Sequence, residues 1–273
     1  MNRINTIFRE LRQEGRTALM PFVTAGYPSL EATEAMLSHM ERAGASVCEL
    51  GIPFSDPIAD GPVIQASMTD ALAAGVRVDA VLEMVRRVRP TLKMALVAMI
   101  SYSIVYRLGA ETFIKQAADA GLDGFIFPDL PVEEAEAVGG MVRDAGLTCT
   151  LLIAPTTPLE RAKAIAQASS GFVYVLARTG ITGERSDLPA DLSDRVAKLR
   201  QVTDLPIAVG FGVSQAQHVR AVTEVADAAI VGSALVKRIA QVKHEPPNVI
   251  AEHVGTFVAD LAEGLCVRSS AGR

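Results

Sequence analysis

Eight short apolar runs, each separated from the next by an amphipathic helical stretch, limit what this 273-residue chain can fold into more than any other feature. The runs lie at Ala18–Thr24, Val47–Ile52, Met94–Ile100, Gly124–Phe127, Thr148–Ile153, Phe172–Leu176, Pro206–Val209 and Ala228–Val231. Several are apolar at every position, as strands are when helices cover both faces of a parallel sheet. Eight strand–helix units are what a closed barrel needs, and about 250 residues is its usual length. No Gly-x-Gly-x-x-Gly turn follows the first run, which argues against an open, doubly wound sheet.

The expected fold is therefore a single α/β domain over residues 1–273, a (β/α)8 barrel of the TIM class. Helix stops support it: Ala43-Gly44, Ala120-Gly121 and Ala145-Gly146 each end an amphipathic segment where a left-handed cap belongs. Ser214 reads as the N-cap of the helix beginning at Gln215. The long gap between the second and third runs holds an extra helix near Val63–Ala74 before the regular one at Val78–Val88. An N-terminal amphipathic helix over Asn2–Leu11 precedes the first strand and is expected to close the barrel's bottom. That segment carries both signs of charge, unlike a secretory signal.

Composition removes several function classes. No apolar run approaches the roughly 20 residues that span a bilayer. A net charge of −5 gives no electrostatic footprint for nucleic acid. The cluster Arg86, Arg87 and Arg89 reads as the solvated end of a helix. Cys48, Cys149 and Cys266 are odd in number and far apart, which fits free thiols in a reducing, cytoplasmic compartment and no metal site. No histidine falls at a strand end, so acid–base chemistry is left to carboxylates.

The segment Glu49-Leu50-Gly51-Ile52-Pro53-Phe54-Ser55-Asp56-Pro57-Ile58-Ala59-Asp60-Gly61-Pro62 holds them. Strand alternation points Val47, Glu49 and Gly51 one way and Cys48, Leu50 and Ile52 the other. If the second set meets helices, Glu49 faces the interior beside a glycine that leaves space. A carboxylate there is costly to bury unpaired and is suited to proton transfer once its pKa rises. Barrel active sites lie at the C-terminal strand ends. That rule gathers Phe22, Glu49, Asp56, Asp60, Asp129 and Tyr174, with glycines after strands six, seven and eight. Gly210-Phe211-Gly212 and Gly232-Ser233 suit a phosphate, because glycine admits close approach and a helix N-terminus offers free N–H groups. The polar, glycine-punctuated stretch from Arg178 to Pro189 has the composition of a mobile lid.

With these residues assembled, the chain resembles the α subunit of tryptophan synthase. The Glu49–Pro62 segment carries the resemblance almost residue for residue. Met20-Pro21-Phe22-Val23-Thr24-Ala25-Gly26, Phe127-Pro128-Asp129-Leu130-Pro131, Arg178-Thr179-Gly180-Ile181-Thr182-Gly183, Gly210-Phe211-Gly212 and Gly232-Ser233 match in order. The resemblance implies a (β/α)8 barrel that cleaves indole-3-glycerol phosphate to indole and glyceraldehyde 3-phosphate without a cofactor. It implies Glu49 as general acid–base and Asp60 at the indole nitrogen. Tyr174 matches a site tyrosine, and Phe22 and Ile100 match apolar contacts to the indole ring. Gly183, Phe211, Gly212, Gly232 and Ser233 match the phosphate side, and Thr182 the lid residue that meets Asp60. A pyridoxal-phosphate β subunit is the implied partner in an α2β2 assembly, with Asp56 and Pro57 as contacts. One departure stands out: Ser101-Tyr102-Ser103 lacks the asparagine that many members carry after the third strand.

Three other readings stay open from the residues. One is a stand-alone lyase that releases indole freely. Another is a different phosphate-binding barrel, such as a sugar-phosphate epimerase. The third, from another class, is a non-catalytic regulatory barrel subunit, since barrels host many functions.

Overall fold

The structure is a computed structural model and describes residues 2–56, 60–177, 189–210 and 212–267. Its centre is a closed barrel of parallel strands in sequence order: β1 (Ala18–Thr24), β2 (Val47–Gly51), β3 (Ala95–Met99), β4 (Gly124–Phe127), β5 (Thr148–Ile153), β6 (Val173–Leu176), β7 (Ile207–Gly210) and β8 (Ala228–Val231). The ring closes where Ala18 pairs with Ala228 and Met20 with Ile230. The helices are α1 (Arg3–Gln13), α2 (Leu30–Arg42), α3 (Pro62–Ala73), α4 (Val78–Val88), α5 (Tyr102–Leu108), α6 (Ala110–Ala120), α7 (Ala135–Asp144), α8 (Leu159–Ala168), α9 (Leu192–Arg200), α10 (Ala216–Val225), α11 (Ser233–Gln241) and α12 (Pro247–Ala262). The TIM-barrel expectation holds, and the predicted strands differ from the observed ones by at most a residue at an end.

Two clusters separate the faces of the strands. Val47, Ala95, Val97, Ile126, Phe172, Tyr174, Ala208 and Ile230 fill the barrel together with Ile4, Phe8 and Leu11 of α1. Cys48, Leu50, Leu96, Phe125, Val173 and Val209 pack outward against helices. Glu49 therefore points into the lumen, as alternation from Val47 requires. Helix α1 plugs the bottom: Ile4 and Phe8 are buried, and the Phe8 ring lies 5.9 Å from that of Phe172. Burial of two such side chains stabilises by roughly 1.5–3 kcal/mol each. Gly44, Gly121 and Gly146 all take positive φ, which confirms the Ala-Gly stops.

A polar latch holds the plug in place. Asp123, one residue before β4, accepts from Arg3 Nη1 at 2.6 Å, Arg89 Nη1 at 3.2 Å and the Leu96 N–H at 2.8 Å. The Asn2 amide donates to the Asp123 carbonyl at 2.7 Å. This corrects the reading of Arg89 as solvated. Arg86 and Arg87 pair with Glu83 and Glu34 at the surface, but Arg89 turns inward to Asp123 and the carbonyls of Leu92 and Met94. The expected Ser214 cap is also corrected. Gln215 is still extended (φ −146°, ψ 158°), so the helix starts at Ala216, one residue too late for Ser214. The Ser214 N–H instead donates to His218 Nδ1 at 3.3 Å.

Cys48 and Cys149 are buried free thiols, and Cys266 is a partly exposed one. Among the described residues no helix is long and apolar enough to cross a membrane, and no group of His, Cys, Asp and Glu is placed to hold a metal.

Candidate active site

Glu49 lies opposite Phe22 on β1 and Val97 on β3. It is fully buried, and neither carboxylate oxygen has a hydrogen-bond partner. Burial holds its pKa well above the usual carboxylate range. An unpaired buried carboxyl group is what a ligand-binding or proton-transfer position looks like before the substrate arrives. Gly51, two residues on, leaves room for a ring. A Cβ there would stand 2.4 Å from Phe22 Cζ and 3.1 Å from Met68 Cε. The phenyl group of Phe22 thus occupies the place where any side chain at position 51 would have to go.

Asp60 stands in the loop behind β2, near enough to Tyr174 for its charge to act on the phenol. It precedes Gly61, the N-cap of α3, and Pro62 takes the first helical position. Gln65 Nε2 donates to the Asp60 carbonyl at 2.7 Å and ties the residue to the first turn of α3. Burial pushes the Asp60 carboxyl up to about 6, so it remains ionised at neutral pH. Tyr174, the lumen residue of β6, is also raised well above its ordinary value, by burial first and then by the negative charges of Glu49 and Asp60. The phenol therefore senses both carboxyl groups. Their environments differ: Glu49 is in the dry barrel, whereas Asp60 is at a loop edge.

Gly210 at the end of β7 seats the phenol. A Cβ on it would lie 2.5 Å from Tyr174 Oη and 3.0 Å from Cζ. Gly210→Ala is expected to displace the ring and lower kcat/KM about tenfold or more, the cost of one overpacked methyl group being about 1–3 kcal/mol. Steady-state kinetics alongside near-ultraviolet circular dichroism checks this, since the chain has four tyrosines and no tryptophan to obscure them. Unchanged kinetics and an unchanged tyrosine spectrum would contradict the packing argument.

The glycines after β7 and β8 stand at the same end. Gly212 has φ +88°, and a Cβ built on it meets nothing within 4 Å. Gly232 is the N-cap of α11, with Ser233 at its first position, so the opening N–H groups of that helix precede any intrahelical acceptor. A Cβ on Gly232 would lie 3.8 Å from Phe22 Cβ, which places the anion-suited turn beside the ring of the pocket.

Ile100 follows the last residue of β3 and is almost wholly buried in the same cluster as Phe22. Met99, which ends β3, packs against both clusters. Leu152 and Leu176 are partly buried beside the interior cluster. Asp129 does not turn to the pocket. It accepts from Ser101 Oγ at 2.6 Å and the Tyr102 N–H at 2.7 Å, and so fixes the start of α5. The Ser101-Tyr102-Ser103 departure is therefore accommodated internally, with Ser101 Oγ 2.6 Å from Ser103 Oγ. Asp56 is exposed on its loop. Pro57, Thr182, Gly183 and Phe211 lie outside the described residues.

Comparison with known proteins agrees with this geometry. The family model described as tryptophan synthase alpha chain matches residues 8–264. A tryptophan synthase alpha chain from a Cyanothece species is 49% identical over 239 residues, covering 87% of this chain and 90% of that one. Tryptophan synthase subunit alpha from Legionella pneumophila superposes with a TM-score of 0.85 at 35% identity, covering 97% of this chain and 98% of that one. A chain of tryptophan synthase from Mycobacterium tuberculosis, in an aminoacrylate-bound form, gives 0.85 at 30% identity and covers 98% of this chain and all of that one. With a closed eight-stranded barrel and a family match along nearly its whole length, the chain belongs to the tryptophan synthase alpha chain family.

Proposed function

We propose that Glu49 and Asp60 carry the reaction of this family, the retro-aldol cleavage of indole-3-glycerol phosphate to indole and glyceraldehyde 3-phosphate. The enzyme class is a carbon–carbon lyase. The observation that carries the residue assignment is the pair of unpartnered Glu49 carboxylate oxygens in the barrel lumen, with Tyr174 within reach of the charges of both Glu49 and Asp60.

The chemistry needs two carboxyl groups of opposite character. The bond to be broken joins indole C3 to the glycerol side chain, and it breaks once C3 carries a proton. Glu49, neutral in its dry setting, donates that proton and becomes a carboxylate. The resulting indolenine cation spreads its charge to the ring nitrogen, where ionised Asp60 stabilises it. Glu49 then removes the proton of the side-chain hydroxyl, the C3 bond opens to a carbonyl, and indole leaves with its aromaticity restored. One proton is given and one recovered, so the side chains end as they began and no cofactor is required. Divergent environments for two carboxyl groups are the usual way one site runs acid and base steps. Phe22 and Ile100 suit the indole ring, with Met99 and Leu176 near them, while Gly212, Gly232 and Ser233 suit the phosphate, whose binding energy orients the reacting end.

Asp60 gives a pH signature. Its working form is the anion, and its carboxyl titrates near 6, so kcat/KM should fall as pH drops through 6, approaching tenfold per unit below. Asp60→Asn should lower kcat/KM about 100-fold, the scale of losing one preorganised charge partner, and should remove that acid limb. A wild-type profile flat down to pH 5, in folded protein, would sink the assignment.

Family membership also supports a β subunit as partner in an α2β2 assembly, a cytoplasmic location and action of the whole chain as one domain. Indole release from indole-3-glycerol phosphate, measured with and without a β subunit, tests the reading. Activation by the β subunit is the expected result. Strong turnover that a β subunit leaves unchanged points to a stand-alone lyase. No turnover in either arm points to a non-catalytic subunit.

A further inference from the structure

Arg86, Arg87 and Arg161 on the outer helices pair at the surface with Glu83, Glu34 and Glu133. Arg195 of α9 behaves differently. Its side chain is largely buried, and its guanidinium reaches the catalytic end of β6, where Nη2 donates to the Ala177 carbonyl at 2.6 Å and Nη1 to the Leu176 carbonyl at 3.3 Å. Nε lies 3.2 Å from Asp191 Oδ2 at the start of α9, but at an angle that makes no hydrogen bond. These carbonyls end the strand that holds Tyr174 and Leu176 in the lumen. The same strand end is tied to the next one, since the Ala177 N–H donates to the Gly210 carbonyl at 2.9 Å. Gly210 in turn is the residue on which the Tyr174 hydroxyl rests.

We infer that Arg195 is a positioning residue for the substrate site: from the helical shell it clamps the end of β6 against β7 and so sets where Tyr174 and Leu176 stand relative to Glu49. The inference rests on the lyase reading above. Two successive carbonyls suit the several fixed N–H donors of a guanidinium, and less so lysine, whose ammonium is a point charge on a flexible stem. A strand end released by a fraction of an ångström misplaces the pocket wall without opening the core, and misplacement on the 1 Å scale costs up to about 100-fold in rate.

The test measures kcat, KM and unfolding midpoint for Arg195→Ala, Arg195→Gln and Arg195→Lys, with Arg161→Ala as a surface control. Arg195→Ala is expected to lose about 10- to 100-fold in kcat/KM, mostly in kcat, when assayed well below its midpoint. Arg195→Lys should recover part of that loss, and Arg161→Ala should match wild type. Should the alanine variant fail to fold, the glutamine variant is held to the same criterion. Unchanged kcat/KM in a folded variant, or a loss that disappears on cooling away from the midpoint, overturns the clamp and leaves a structural arginine. A folded wild type without turnover overturns the lyase reading instead, whereas an active wild type with indifferent Arg195 variants overturns only this inference.

Discussion

Glu49→Gln is expected to abolish indole-3-glycerol phosphate cleavage, with kcat down by about 10³-fold or more, and to leave a folded barrel. General acid–base groups contribute about 10²–10⁴-fold, and here one carboxyl serves both the C3 protonation and the hydroxyl deprotonation. Glutamine keeps the volume and cannot move a proton. Stability should move the other way. The folded pKa of Glu49 lies above its unfolded value because burial disfavours the anion. Stability tied to the neutral form is therefore complete below the unfolded pKa and is lost as pH rises toward the folded one. Glutamine pays no such penalty, so the variant should be more resistant to unfolding than wild type at pH 7–8, with the gap closing near pH 4. Kinetics and paired denaturation curves at the two pH values test both halves. Near-normal turnover by the folded variant would remove Glu49 from the chemistry, and a variant less stable at pH 8 would mean that its carboxyl has a partner in the fold.

The opposed effects share one cause, an acid held in the lumen without a hydrogen-bond partner. That position was legible in the sequence because Glu49 interrupts an apolar run, and a single polar residue fixes the phase of a strand. Strand β3 offers no such contrast. Ala95, Leu96, Val97, Ala98 and Met99 are apolar on both faces, so only the closed barrel tells lumen-facing Val97 from helix-facing Leu96. The Ala-Gly stops and the strand spans were readable for a related reason: both are local. Arg89 was not, since its carboxylate partner is 34 residues away, and a run of three nearby arginines looks solvated until that partner is known. Arg195 left no trace at all, because its acceptors are main-chain carbonyls, which every residue possesses. What sequence pattern carries is the identity and face of a side chain set against apolar neighbours. What it omits is any contact made to backbone or across the barrel.

Asp123→Ala is expected to destabilise the fold by about 3–5 kcal/mol, the range for removing one member of a buried ion pair and leaving the other charged and unpaired. Asp123 and Arg89 side chains are only 8% and 12% exposed, so water cannot take over the role of the lost carboxylate. Burial already lifts the Asp123 carboxyl above its ordinary range despite two guanidiniums and the Leu96 N–H. The carboxyl is thus a counter-ion held in a setting that disfavours its charge. Its loss frees three donors at once: Arg3, Arg89 and the β3 amide of Leu96. It also loosens the N-terminal helix whose Ile4 and Phe8 close the barrel floor. Arg3→Ala separates these contributions. Arg3 is 38% exposed, and a pair that open to solvent is worth about 1 kcal/mol or less. For a chain of this size each kcal/mol shifts the midpoint by about 2–4 °C, so Asp123→Ala should lower it by roughly 10 °C and Arg3→Ala by only a few degrees. Both variants should retain the pH dependence of kcat/KM, because the latch and the pocket lie at opposite ends of the strands. An Asp123→Ala protein within 1 kcal/mol of wild type would show that the Leu92 and Met94 carbonyls suffice for Arg89, and that the floor of the barrel is held by its apolar plug alone.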